Sequence, residues 1–294
     1  MPGRTPPVLT LLLAAALCAA ALAPSRAVVS VTAEAKEAGD ARQLPFAPGE
    51  ELFYQADFSR SLLRGIEIAE FHFVTEREPA TAAAEPAPAG FVFKGDVRAK
   101  GWFRKIFGLD FHYRQESFVD GRTLRIRRTT KLDEQGRRVR ESEAVFDALA
   151  DRVTWTEREP NNAAREPRVV TGPLAGADYD IISAIYCLRT RPLAVGQSFD
   201  LGVSDSGQTY RVPVKVVKRE TMKTAIGRVS ALRVEVGLFG ERGLVSDRKG
   251  EMTIWITEDA RRLPVRARLD AEVGTLDIKL KKASGLAASA PARK

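Results

Sequence analysis

Stretch after stretch of this chain places apolar side chains at every second position, and that rhythm limits what it can fold into. Over residues 51–58, Leu52, Tyr54, Ala56 and Phe58 fall on one face. Over residues 91–100, Phe91, Phe93, Val97 and Ala99 oppose Lys94, Asp96, Arg98 and Lys100. Tyr210, Val212, Val214 and Val216 oppose Arg211, Lys215 and Arg219, and Leu276, Ile278 and Leu280 oppose Asp277 and Lys279. Successive side chains of an extended chain point to opposite faces, so each stretch reads as a strand with one side in the core and one in water. Similar segments are expected at 66–75, 109–119, 123–131, 139–146, 151–157, 232–238, 252–257 and 263–270.

Short connections make these strands a meander. Asp120-Gly121 and Gln135-Gly136 suit tight turns, because glycine accepts a positive φ. Residues 76–90 and 158–172 read as loops, the first broken by repeated prolines. Pro213 places its strand at an edge or leaves its amide side free. Gly237, Gly240 and Gly243 match no nucleotide fingerprint and read as a bend.

One segment follows the helical period instead. In 178–190, Ile181, Ile185 and Leu188 recur at four and three residues, Asp178 or Asp180 can cap the first amides, and Pro192 ends the run. A dozen one-faced strands and one helix predict a mainly β fold. The apolar faces need a second sheet, a closed barrel, or a strongly curved sheet wrapped on the helix. An antiparallel meander forming a curved sheet or half-barrel with one covering helix is the expected architecture.

The first 27 residues carry the marks of an export signal: Arg4, an apolar run from Val8 to Leu22, and Ser25-Arg26-Ala27 as a small-x-small site. Cleavage is expected after Ala27, giving a periplasmic protein. The run falls short of the roughly 20 apolar residues of a membrane span. Leu17 stands where lipid attachment to Cys18 would want a small residue. Residues 28–43 read as a tether, 44–282 as a single β-rich domain, and 283–294 as a disordered tail. With Cys18 removed, Cys187 stands alone among apolar neighbours and reads as a buried, inert thiol.

The chemistry of catalysis is not visible. His72 and His112 are the two histidines, each in a strand, and they lack the Cys or carboxylate spacing of a zinc site. Neither a nucleophile elbow nor a phosphate-binding glycine loop occurs. The reading is therefore a non-enzyme with no catalytic residues, no metal and no cofactor. Most of the net charge of +8 is mixed with acidic residues along the chain; the basic stretch 122–131, with Arg137, Arg138 and Arg140 nearby, makes a positive local field, but export makes nucleic acid an unexpected partner. Peripheral contact with an anionic envelope surface fits better.

Asp180-Ile-Ile-Ser183-Ala-Ile-Tyr186-Cys-Leu-Arg189, followed by Pro192-Leu193 and Gly196, resembles the D-x-x-S-x-x-Y-x-x-R signature of an exported bacterial domain family of unknown function, DUF3108. Trp255-Ile-Thr-Glu-Asp259 with Arg262, Pro264 and Val265 is similar to that family's second signature, and Phe46, Gly49 and Glu50 match its F-x-x-G-E start. The resemblance covers about residues 44–282. The ending from Trp255 to Val265 is also similar to lipoprotein-carrier and lipoprotein-sensing proteins, which implies a half-barrel around an apolar cavity. Each motif residue has a structural role open to it: Asp180, Ser183, Tyr186 and Arg189 to cap and dock the helix, Trp255 to fill the core, Asp259 to close a turn, and Pro264 to protect an edge. Two functions stand side by side, a carrier for a lipid-like or lipoprotein ligand and an envelope adaptor that binds a protein through a sheet edge. A hydrolase of envelope polymer is a third.

Overall fold

The alternating segments pair in chain order. In this computed structural model, residues 44–79, 90–100, 110–162, 164–240, 243–245 and 249–287 are described, so the expected signal peptide and tether lie outside the described residues. The first half of the sheet comprises β1 (Glu51–Arg60), β2 (Leu63–Arg77), β3 (Phe91–Ala99), β4 (Phe111–Val119), β5 (Ile126–Gln135), β6 (Arg138–Asp147), β7 (Arg152–Arg158) and β8 (Arg168–Pro173). After the helix α1 (Ile181–Thr190) follow β9 (Ser198–Asp205), β10 (Gln208–Thr224), β11 (Gly227–Val236), β12 (Gly250–Thr257), β13 (Pro264–Ala271) and β14 (Gly274–Ser284).

These make one antiparallel sheet of 14 strands in the order β8-β7-β6-β5-β4-β3-β2-β1-β14-β13-β12-β11-β10-β9. Each half is an unbroken meander, and the two are joined where β1 pairs with β14, Tyr54 facing Leu280 and Ala56 facing Ile278. The sheet is not closed. It curls until its two outer ends approach, where the Thr209 hydroxyl donates to the Pro173 carbonyl (2.9 Å).

The helix occupies the concave side. Ile182 and Tyr186 pack with Phe91 and Phe93 of the first half, while Ala184, Cys187 and Leu188 pack with Leu201, Val214 and Ile254 of the second. Apolar residues thus surround the helix on more than one side, as expected of a helix buried within a fold. Cys187 is 4% exposed, in the environment the sequence suggested. The residues before the helix bridge both halves: the Asp178 carbonyl accepts from Ile126 N (2.8 Å) and the Tyr179 carbonyl from Ser204 N (2.8 Å).

Several local expectations are corrected. The helix begins at Ile181, not 178, because Asp180 is extended (φ −94°, ψ −176°) and acts as its cap. Part of the expected loop 158–172 is β8, whose Val169 and Val170 pair with Thr156 and Trp155. β9 is a strand beyond those expected, with Phe199, Leu201 and Val203 alternating into the core. The positive φ after Asp120 falls on Leu124 (60°), since Asp120 Oδ1 gathers the amides of Arg122 (3.0 Å) and Thr123 (2.7 Å) into a wider turn. Pro213 lies between two strands; its carbonyl accepts from Gly237 N (2.8 Å) just beyond the β11 ladder, so the side lacking a donor faces a ladder's end. Of the tail expected over 283–294, the first residues are ordered, because β14 runs to Ser284 and Leu286 packs on the core, and residues 288–294 lie outside the described residues.

Candidate functional site

The helix is fixed at both ends by buried charges. At its N-terminus Asp180, 2% exposed, forms a capping box with Ser183: Ser183 N donates to Asp180 Oδ1 (2.8 Å) and Asp180 N donates to Ser183 Oγ (2.9 Å). Asp180 Oδ2 accepts from three side chains of the sheet, Gln115 Nε2 (3.0 Å), Ser117 Oγ (2.5 Å) and Thr129 Oγ1 (2.6 Å). One carboxylate therefore joins α1 to β4 and β5. A buried anion needs such a set of donors to replace its water.

At the other end Arg189, 1% exposed, donates from Nη1 and Nη2 to the Glu50 carboxylate (2.5 and 2.8 Å). Its Nη2 also reaches the carbonyls of Pro45 (2.9 Å) and Arg261 (3.1 Å). Burial works against the charge on Arg189, but the bonds and charge of Glu50 outweigh it and hold its pKa above the ordinary arginine value. The guanidinium lies near the rings of Phe46 (5.5 Å) and Tyr186 (5.3 Å), and Tyr186 stacks on Phe93 with centroids 3.9 Å apart. Burial pushes the Tyr186 phenol up to about 12.

The second motif meets the first at this point. Asp259 closes the turn after β12 by accepting from the Thr257 hydroxyl (2.6 Å) and Arg262 N (3.2 Å), and Arg262 Nη1 donates to the Arg191 carbonyl (2.5 Å). Burial alone would raise the Asp259 pKa; the bonds from Thr257 and Arg261 reverse that and hold it below the usual carboxylate value. Pro264 does not protect a free edge. Its strand lies between β12 and β14, and its carbonyl accepts the Tyr54 hydroxyl (2.8 Å). Trp255 is 7% exposed, points away from the helix side, and donates from its indole N–H to Glu220 (3.0 Å) beneath Arg266. Three separated sequence patterns thus converge on Arg189, while Asp180 and Ser183 sit a helix length away and Trp255 stands apart.

Gln115, Ser117 and Thr129 escaped the sequence reading. The available signal was polar residues at inward positions of β4, between Tyr113 and Val119. A further buried pair, Lys131 with Asp205, links β5 to β9. The histidines lie on the sheet away from these charges. His72 stacks on Phe53 (4.0 Å) beside Glu51, and His112 lies between Glu134 (2.8 Å) and Asp96 (3.0 Å). Among the described residues no group of three or more His, Cys, Asp or Glu side chains is arranged to hold a metal.

The concave face divides into two regions. Near the strand ends bearing Glu50 and Phe91 the helix covers it so closely that a Cβ on Gly95 would come within 2.6 Å of Ile182. Farther along, Ala56, Phe71, Val97, Leu269 and Leu276 form a second apolar cluster to which the helix contributes no residue. Register places Ile278 opposite Ala56 and Ala267, and Met252 opposite Leu269, so all face inward. Ile278, Met252, Phe73 and Phe111 pack on this cluster yet remain partly exposed, and Phe73 and Met252 also border the clusters to which the helix contributes.

A half-barrel of antiparallel strands holding a charge-locked helix, with an apolar concave region beyond it, defines the class of protein. The chain belongs to the family described as protein of unknown function (DUF3108), whose model matches residues 54–281. No curated protein matches. A beta-barrel-like protein of the domain of unknown function DUF1849 from Brucella abortus superposes with a TM-score of 0.51 at 11% identity, over 82% of this chain and 99% of that one. That likeness shows the fold. A candidate lipoprotein from Parabacteroides distasonis matches with a TM-score of 0.31 and 9% identity, over 82% of this chain and 97% of its own. A candidate exported protein with a YmcC-like fold from Bacteroides fragilis matches with a TM-score of 0.29 and 10% identity, over 83% and 100%.

Proposed function

We propose that this protein is a non-catalytic binding module of the bacterial periplasm, exported by its N-terminal signal, and that it holds a lipid-like or lipoprotein acyl ligand on its concave face. The observation that carries this reading is the inward cluster around Ile278. Side chains on the core face of a sheet are ordinarily buried, and burying one apolar side chain of this size is worth about 1.5–3 kcal/mol. Partly exposed Ile278, Met252, Phe73 and Phe111 leave part of that energy available to an apolar guest. The motif residues Asp180, Ser183, Tyr186, Arg189, Asp259 and Pro264 serve this site indirectly, by fixing the helix so that it fills one part of the curve and leaves the other.

Displacement of a fluorescent fatty acid from the full chain tests the reading. Wild type is expected to bind the probe and Ile278→Asp, at an already partly exposed position, to lose most of that binding while remaining folded. A wild-type chain that takes up no probe would remove this function. The adaptor reading draws on the exposed Val169 of the outer strand β8, 59% exposed, and predicts a protein partner that a Val169→Lys substitution would release.

A further inference from the structure

The turn between β1 and β2 presents an apolar tip to solvent. Arg60 pairs with Leu63, so only Ser61 and Leu62 separate the strands, with Ser61 at φ 50° and the Ser59 hydroxyl accepting from Gly65 N (2.9 Å). Leu62 is 96% exposed and Leu63 47%. Arg60 and Arg64 flank them, both exposed, and no carboxylate among the described residues engages either guanidinium. The nearby acid Glu67 is already paired with Lys100 (3.4 Å). Glu272 lies on the adjoining turn between β13 and β14 and is exposed.

The geometry points to this hairpin tip as a contact for an anionic lipid surface, with Leu62 and Leu63 entering the boundary between headgroups and acyl chains while Arg60 and Arg64 meet phosphates. Two exposed leucines carry the apolar part of such a contact, and the two exposed arginines beside them supply the complementary charge. A comparison within the same molecule sharpens the point. Leu149, on the turn between β6 and β7, is as exposed (103%), but Asp147 and Asp151 flank it and would repel the same surface.

Position adds a use. Phe58, two residues before Arg60 on β1, belongs to the apolar cluster beyond the helix, whereas Glu50 at the other end of the strand holds Arg189. The tip therefore marks the end of the half-barrel that carries the apolar cluster to which the helix contributes no residue. A membrane reached through it would bring lipid to the face proposed to receive it, so this inference rests on that reading for its purpose though not for its test.

The test uses the full chain with vesicles of phosphatidylglycerol and phosphatidylethanolamine at low salt, some lipids carrying brominated acyl chains. Tryptophan placed at the tip (Leu62→Trp) is expected to be quenched by the brominated lipid, and tryptophan at the control turn (Leu149→Trp) is not. Replacing both leucines by serine should lower the vesicle partition coefficient by about tenfold per leucine. Replacing Arg60 and Arg64 by glutamine should lower it about fivefold each, an effect that fades at high salt. Equal quenching at 62 and 149, or unchanged partition of the serine variant, overturns the proposal. Self-association that the serine substitutions abolish, without quenching at 62, overturns it in favour of a second copy of the chain. Fatty-acid displacement separates this failure from that of the proposed function: the serine variant should retain the soluble probe that Ile278→Asp loses.

Discussion

Arg189 and Glu50 provide the sharpest quantitative test of how the fold is held. Replacing Arg189 by methionine removes both bonds to Glu50 and the donors to the Pro45 and Arg261 carbonyls. Glu50 is 0% exposed, so its carboxylate would be left without a counter-charge and without water. Orphaning one member of a buried pair typically costs about 3–5 kcal/mol, a large part of the ~5–15 kcal/mol that holds a domain together. The double variant Glu50→Leu with Arg189→Met removes the orphan. What then remains is two carbonyls lacking a donor, at about 1 kcal/mol each. The double variant should accordingly be more stable than the Arg189→Met single variant, with a coupling of about 2 kcal/mol or more between the sites. Urea unfolding followed by tryptophan fluorescence, extrapolated to water, measures each corner of the cycle. Single-variant losses that add to within ~0.5 kcal/mol would refute the buried-pair argument.

Two other outcomes follow from the buried charges. Asp180→Asn turns an acceptor-only carboxylate into a group that must aim an NH2 at the donors Ser117, Thr129 and Gln115, and a loss of about 2–3 kcal/mol is expected in the same unfolding assay. For Asp277, burial raises the pKa but the bonds and charge of Arg266 and then Lys279 overcome it, leaving the folded value below the unfolded one. Its contribution is therefore complete above the unfolded pKa and is lost as the pH falls through the folded value, so thermal melts from pH 5 to pH 2 should show a weaker acid dependence for Asp277→Asn than for wild type.

What the sequence displayed and what it hid have separate physical causes. The alternation in β1, β3, β10 and β14 was legible because each strand has one face in the core, so polarity follows the pleat residue by residue. β8 was hidden because Val169 and Val170 are adjacent, Gly172 and Pro173 follow, and most of its residues are exposed at the end of the sheet. The helix was legible from Ile181, Ile185 and Leu188, and its cap was narrowed to two aspartates. Choosing between them requires Gln115, Ser117 and Thr129, which lie 65, 63 and 51 residues away and meet Asp180 only through the tertiary fold. The motif residues were visible as a pattern. Their convergence on Arg189 was not, because Glu50 stands 139 residues before it and Arg261 72 after. The extent of the apolar cluster beyond the helix depends on how far one helix reaches along a curved sheet, which no periodicity encodes.

The sheet order has a consequence for how the molecule is made. Every neighbouring pair of strands but one is local or sequential along the chain; the exception unites the first strand with the last, in the middle of the finished sheet. Two leaves can zip up separately as the polypeptide emerges, yet the sheet stays unstitched until β14 (Gly274–Ser284) has been made. Removing β14 would not fray a border. It would open the sheet from within, leaving its two leaves joined by the helix and by the contact of their outer ends, and during synthesis the unpaired side of β1 is the surface most in need of protection from other chains.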